Sequence, residues 1–377
     1  MKNIQMVDLK SQYVKIKQEI DAGIQEVLDS TVFIKGGKVN DFQRHLEEYL
    51  GVKHVIPVGN GTDALQISLM ALGLQPGDEV ITPTFTFIAT AEVVALLGLT
   101  PVLVDVDPAT FCLSLSEVEK AITPKTKAIV PVHLFGQNAD MEPLLALAER
   151  HGLYVVEDAC QSIGAVYTFS DGRKVKSGCM GHFGCTSFFP SKNLGCYGDG
   201  GAIFTNSDEL YAKARCIANH GMEVRYYHDR VGVNSRLDAI QAAVLDVKLR
   251  YLDEYIRSRQ RAAAYYDEAL RDLPGVKIPS RRGNTSHVFH QYTLCLDPSI
   301  DRDSLRKKLE EKGVPAMIYY PVPLHLQKAY RSDRYQDGAF PVAERLAASV
   351  LSLPMHTELD DEQLAYIVGS IRECVSI

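Results

Sequence analysis

Lys192 is the only lysine between Lys176 and Lys213, and it lies in SFFPSKNLGCYGDGG, residues 187–201, behind two phenylalanines and among glycines. An amine in so apolar a setting becomes a nucleophile once it loses its charge, and condensation with a carbonyl is the chemistry that uses it. Other groups of chemical interest follow β-branched runs in the same way. HVIPV is followed by GNGTDAL, whose two glycines give backbone freedom and whose Thr62 and Asp63 open a helix; the free N–H groups and dipole there favour a phosphate. YVVE is followed by Asp158, with Gln161 soon after; CT is followed by Ser187; and PTFTFIATA supplies Phe85 and Phe87. Each has a plain reading when taken alone: a turn with a helix cap, a capping acid, a solvated lysine, a core ring. Their joint placement argues otherwise, because ligands collect outside the C-terminal ends of parallel strands, and all of these groups fall there.

The elements that must hold these residues follow from periodicity. From residue 54 to 206, short β-branched runs (HVIPVG, EVITP, PVLVDV, KAIVPVHL, LYVVEDA) alternate with longer amphipathic ones, which predicts an α/β fold with a mostly parallel sheet flanked by helices. Ser114 and Glu117 have the spacing of a capping box, and Gly73, Gly98 and Gly152 stand where helices should end. CTSFFP and GAIFTN have no full helix between them and are expected to pair antiparallel. A charge-laced helical stretch is predicted from about Leu237 to Leu270, followed by FHQYTLCL, a helix in DRDSLRKKLEEKG, a short strand ending near Tyr320, and two more helices. The division expected is a large α/β domain over residues 1–250, N-terminal segment included, and a smaller α+β domain over 251–377.

With 46% hydrophobic and 23% charged residues and a net charge of −7, the 377-residue chain reads as a globular protein without the basic footprint of a nucleic-acid binder. The most apolar stretch, ATAEVVALLGLTPVLVDV, is interrupted by Glu92 and Pro101, and MKNIQMVDLK lacks the apolar core of a signal peptide, so a cytoplasmic protein without membrane attachment is expected. Eight scattered cysteines form no C-x-x-C pair and no metal-ligand spacing, so no metal is expected and the thiols should be reduced.

An amine, an acid at a strand end and a phosphate cradle are together what pyridoxal 5′-phosphate requires. Lysine forms the Schiff base, the acid keeps the pyridine nitrogen protonated, and the helix N-terminus holds the phosphate. Phe87 is placed to stack on the ring. No G-x-G-x-x-G follows a predicted strand, which disfavours a nicotinamide enzyme.

GNGTDAL, PTFTFIATA, VVEDACQSIGA, TSFFPSKNLGCYGDGGAIFTN, an HG before a basic and tyrosine-rich stretch, and GVNSRLDAIQAAVL together resemble the DegT/DnrJ/EryC1/StrS sugar aminotransferases, fold type I pyridoxal phosphate enzymes. The resemblance covers nearly the whole chain. It implies Lys192 as the Schiff-base lysine and proton shuttle, Asp158 at the pyridine nitrogen, and Gln161 beside the ring hydroxyl. Gly61, Thr62 and Ser187 would lie on the phosphate and Phe87 on the ring face. GVNSR is similar to a segment that crosses to a neighbouring subunit, which implies a homodimer in which Asn234 touches the other chain's phosphate and Arg236 its substrate. Within the family the pattern is most like enzymes that use L-glutamate to aminate C3 of a UDP-linked 3-oxo-2-acetamido glucuronate for bacterial surface polysaccharide such as lipopolysaccharide O-antigen. Arg236 suits a uronate carboxylate, which a guanidinium fork can hold bidentately; pairing with Asp238 is the plain alternative. Residues 167–184 look longer and more basic than the family's loop, and Arg173, Lys174 and Lys176 suggest either a contact to the nucleotide diphosphate or a solvated loop. Tyr319 precedes Tyr320 where a histidine is expected, and His325 resembles members acting on other nucleotide sugars; these three complete the expected substrate residues. A dTDP- or GDP-linked keto-sugar is the alternative substrate. Members that deoxygenate sugars have histidine at the position of Lys192, and a non-catalytic sensor of the same fold is the reading of a different class.

Overall fold

A computed structural model describes residues 3–375. Two helices, α1 (Leu9–Ser30) and α2 (Gly37–Leu50), precede a sheet laid down by β1 (His54–Val58), α3 (Gly61–Ala71), β2 (Glu79–Pro83), α4 (Ala89–Leu96), β3 (Thr100–Val104), α5 (Leu115–Ala121), β4 (Thr126–Ile129), α6 (Met141–His151) and β5 (Tyr154–Asp158). A short hairpin, β6 (Val166–Thr168) and β7 (Lys174–Lys176), leads to β8 (Phe183–Ser187) and β9 (Gly201–Thr205). The chain continues through α7 (Asp208–Ala218), α8 (Ala239–Leu249), α9 (Leu252–Leu270), β10 (Val276–Lys277), β11 (Tyr292–Leu296), α10 (Arg302–Glu311), α11 (Pro341–Ser349), β12 (Val350–Leu353) and α12 (Asp361–Val375).

The main sheet has seven strands in the order β1-β9-β8-β5-β4-β2-β3. The pairs from β8 to β3 are parallel, while β9 runs antiparallel to both β8 and β1. The antiparallel pairing of the two segments around Lys192 is thus as expected, and the sheet is mixed at that one strand. Strand alternation sends successive residues to opposite faces. Ile56, Val80, Ala128, Val156 and Ile203 join one cluster with α3, α4 and α7, whereas Ile81, Ile129 and Val155 pack with α5 and α6. Val55, Ala202 and Phe204 meet α2 and α8 on that second face. Helices therefore cover both sides, as a parallel sheet requires.

A separate cluster joins β11, β12, α10 and α12 to the C-terminal half of α9 through Ala262, Tyr266 and Leu270. The N-terminal half of the same helix, Leu252 and Ile256, packs with the cluster of α2 and α8. One rod is shared by two cores.

Three local expectations change. The stretch 237–270 is two helices, because Arg250 and Tyr251 break the run. Ser114 does occupy the N-cap of α5, but its hydroxyl pairs with Ser116 Oγ at 3.1 Å and Glu117 turns to Lys120 at 2.8 Å, so no reciprocal box forms. The strand expected near Tyr320 is a single bridge, Met317 to Ser352, since one pairing is all that the short segment finds at the edge of β12. Gly73, Gly98 and Gly152 do end their helices at positive φ.

Candidate active site

The predicted residues converge at the C-terminal edge of the sheet. Asp158 ends β5, 6% exposed; Thr90, from the first turn of α4, donates to its Oδ2 at 2.8 Å, and Cys160 N–H donates to Oδ1 at 3.2 Å. Gln161 is oriented by both ends of its amide. Phe135 N–H donates to Oε1 at 2.8 Å, and Nε2 donates to the Tyr320 hydroxyl at 3.0 Å. Phe135 holds φ at +59°, an uncommon left-handed turn for a side chain of that size.

At the neighbouring strand ends, backbone packs on backbone. A Cβ at Gly61 would lie 2.8 Å from Ser187 Cβ and 2.9 Å from Cys160 Sγ, and one at Gly201 would lie 2.4 Å from the Asn60 carbonyl. Only glycine lets the start of α3 close on β8 and β9 this tightly. Asn60 caps α3 by accepting from Asp63 N–H at 2.8 Å, which leaves the N–H groups of Gly61 and Thr62 at the open end of the helix. Asp63 in turn accepts from Ser235 Oγ at 2.6 Å, and that same oxygen accepts from Gly59 N–H at 2.9 Å.

Lys192 sits half-buried in the loop between β8 and β9. Burial lowers its pKa from the ordinary 10.5, against the upward pull of Cys160 and Asp158 nearby. The direction suits an amine that must be neutral to react. Phe87 stands half-exposed with its ring centroid 6.3 Å from that of Tyr320, while Phe85 is fully buried in the core behind them. Burial also raises the Tyr320 phenol, which keeps its proton.

Not every expected residue joins this group. His325 is corrected: it is wholly buried, with Nδ1 2.9 Å from Thr84 Oγ1 and Nε2 3.0 Å from Glu344, so it has no ring atom to offer a substrate and instead ties its segment to the end of β2. Asn234 is exposed and Arg236 half-buried on either side of Ser235, which alone turns inward to α3; no ion pair joins Arg236 to Asp238 among the described residues. In the basic loop, Arg173 stacks on Phe169 at 4.3 Å and lies 3.6 Å from Asp171, and Lys176 sits over Tyr49. Arg173 is thus occupied within the hairpin, and Lys176 against α2.

Sequence reasoning missed Thr90, Asn60 and Glu157. Glu157, 0% exposed, accepts from His133 Nε2 at 2.8 Å and from the backbone N–H groups of Gly178, Met180 and Gly181, which fastens the turn before β8. Glu157 beside Asp158 was a visible signal, since adjacent acids at a buried strand end point to opposite faces and need different partners.

A lysine with lowered pKa, a carboxylate held by donors at the next strand end, and a glycine-built helix start that no side chain could share fit pyridoxal phosphate. On this parallel α/β scaffold they define a fold type I pyridoxal-phosphate-dependent aminotransferase. The chain belongs to the DegT/DnrJ/EryC1/StrS aminotransferase family, whose profile matches residues 14–372. It is 49% identical to the UDP-2-acetamido-2-deoxy-3-oxo-D-glucuronate aminotransferase of Pseudomonas aeruginosa over 98% of this chain and 99% of that one. It is 48% identical to the "Pleiotropic regulatory protein" of Geobacillus stearothermophilus over 98% of each. Its structure superposes with a TM-score of 0.95 on Streptomyces venezuelae DesV in complex with a ketimine intermediate, at 41% identity and full coverage of both chains. Among the described residues, no helix is long and apolar enough to cross a membrane.

Proposed function

We propose that this aminotransferase carries nitrogen from L-glutamate to C3 of UDP-2-acetamido-2-deoxy-3-oxo-glucuronate, supplying an amino sugar for bacterial surface polysaccharide such as O-antigen, in the cytoplasm and as a homodimer. The observation that carries the choice of sugar is the 49% identity, end to end, to an aminotransferase for that compound. Arg236, with no carboxylate paired to it among the described residues, is a fitting partner for a uronate.

Bound pyridoxal phosphate supplies the electron sink that makes the amino acid's α-proton labile. Lys192 would hold the cofactor through its aldehyde carbon and, when free, would move the proton; burial shifts its amine toward the neutral form that this work needs. Asp158, fixed by Thr90 and Cys160, keeps the pyridine nitrogen protonated. Gly61, Thr62 and Ser187 hold the phosphate, joined across the subunit boundary by Asn234, while Phe87 and Gln161 confine the ring. Tyr319 and Tyr320 face the substrate. In this reading residues 1–250 form the cofactor domain and 251–377 the smaller one.

The test is an absorbance spectrum of holoenzyme before and after L-glutamate, followed by the UDP-linked 3-oxo-uronate. Loss of the visible band with glutamate and its return with the sugar is expected. Loss without return would discard the uronate and send the search to dTDP- and GDP-linked keto-sugars. The regulatory relative favours a second reading, a sensor of the same fold; a visible band that neither glutamate nor any keto-sugar alters would support it.

A further inference from the structure

The loop that carries Lys192 is drawn shut at its neck. Lys192 N–H donates to the Phe189 carbonyl and Cys196 N–H to the Phe188 carbonyl, both at 2.8 Å. A Cβ at Gly195 would lie 2.4 Å from Pro190 O and 2.8 Å from Phe189 O, so the two sides of the neck touch. Cys196 Sγ lies 3.0 Å from Phe188 O and 3.1 Å from Gly198 O. Carbonyl oxygens therefore crowd a small buried volume.

Helix α8 reaches into that volume from behind. Lys248, 1% exposed, donates from Nζ to Gly195 O at 2.6 Å, with its ammonium 5.3 Å from the centre of the Tyr197 ring. Gln241, two turns earlier on the same face, accepts from Tyr197 N–H at 2.8 Å and donates to Tyr197 O at 3.3 Å. The groups around Lys248 are Cys196 and Tyr197 of the loop and Arg259 of α9, and no carboxylate pairs with it among the described residues.

A lysine placed so is a poor stabiliser. Burial lowers its pKa to about 8 from 10.5, with the Cys196 thiol pulling up and Arg259 pushing down. The unfolded chain thus keeps this proton to a higher pH than the folded one, and folding becomes more favourable as pH rises from about 8 to 10.5. At neutral pH the buried charge works against the fold, and an apolar side chain of similar volume would be tolerated as well or better. What the charge does supply is a strong, directional hold on one carbonyl.

We propose that Lys248 is a positioning residue for Lys192: its ammonium clamps the Gly195 carbonyl, fixes the neck of the loop, and so sets the approach of the Lys192 amine to the cofactor's carbonyl carbon. The test compares Lys248→Met and Lys248→Arg with the parent, alongside Val118→Ala, a truncation in the core around α5. Two quantities are read: amide exchange of residues 189–196 in cofactor-free protein, and the rate at which added pyridoxal phosphate is captured, followed by its visible absorbance. Lys248→Met is expected to melt within a few degrees of the parent, yet to exchange these amides at least tenfold faster and capture the cofactor at least tenfold more slowly. Lys248→Arg should recover both to within about threefold. Corrected for intrinsic base catalysis, the parent's protection at 189–196 should change with pH between about 8 and 10.5, where Lys248 loses its proton, while that of Lys248→Arg, whose guanidinium keeps its charge, should not. Parent-like exchange and capture in Lys248→Met would overturn the proposal, as would equal losses in Val118→Ala. Where Lys248→Met does not fold, identical pH profiles for the parent and Lys248→Arg would overturn it. Neither readout depends on which amino donor or sugar the enzyme uses.

Discussion

At the scale of single residues, the site is a set of atoms whose charge states are set by their surroundings. Replacing Lys192 with Ala should lower turnover by roughly 10²–10⁴-fold or more, since a positioned acid–base group contributes about that much and the covalent hold is lost with it; steady-state kinetics checks this. Thr90→Val keeps the shape but removes the donor at 2.8 Å from Asp158, leaving a buried carboxylate oxygen unsatisfied at a cost of about 1–3 kcal/mol. Its expected signature is weaker retention of pyridoxal phosphate on dialysis, with near-parental kcat when cofactor is in excess. Lys192, Asp158 and Ser187 were legible because strand ends can be read from β-branched runs, and strand ends are where ligands gather. Thr90 was not, because its partner Asp158 comes from tertiary contact, and spacing along the chain says nothing of it; Asn60 caps its own helix through Asp63, three residues on, a local signal that the reading of GNGTDAL passed over. His325 was misplaced for the same reason: the residue type suggested chemistry, but side-chain direction is decided by Thr84 and Glu344, far away in sequence.

At the scale of elements, the return of β9 beside β8 makes the Lys192 loop a closed feature with fixed ends. The turn before β8 depends on Glu157, whose buried carboxylate gathers three backbone N–H groups and one imidazole. Glu157→Ala strands those donors, and since each buried donor left without a partner costs about 1–3 kcal/mol, a loss of at least that size is expected in urea unfolding. The alternation of β-branched and amphipathic runs made the sheet and its covering helices readable in advance. The break at Arg250–Tyr251 was not readable, since charges and apolar residues continue through it at helical spacing. Nor was the lone bridge at Met317, where a strand-like composition finds only one partner.

At the scale of the whole molecule, three buried histidines set a limit in acid. Burial holds His287 down to about 3 and His356 down to about 4, with Arg281 and Arg259 adding to the effect, and keeps His290 well below 6.5. The unfolded chain takes up protons on all three below pH 6.5 while the folded chain does not, so stability is present above that value and drains as pH falls toward the folded values. The loss should approach roughly 1.4 kcal/mol per pH unit for each histidine, and melts at pH 7 and pH 5 would show it; equal melting at both would refute it. If Arg236 serves the neighbouring subunit's site, mixing inactive Lys192→Ala with inactive Arg236→Ala and allowing exchange should restore about a quarter of parental activity, because half the dimers then carry one intact site. No recovery would assign both residues to one chain.

Helix α9 lies with one half in each of two hydrophobic clusters. A hybrid enzyme made by grafting the C-terminal portion of one relative onto another, in the hope of transplanting sugar preference, must therefore respect two inherited surfaces at once. A seam before Leu252 brings a foreign α9 against α2 and α8, and a seam after Leu270 brings a foreign β11 and α12 against the host's α9. Such grafts should succeed only between parents that match along the whole rod, which makes α9 a barrier to shuffling of the two portions and a reason for them to diverge together.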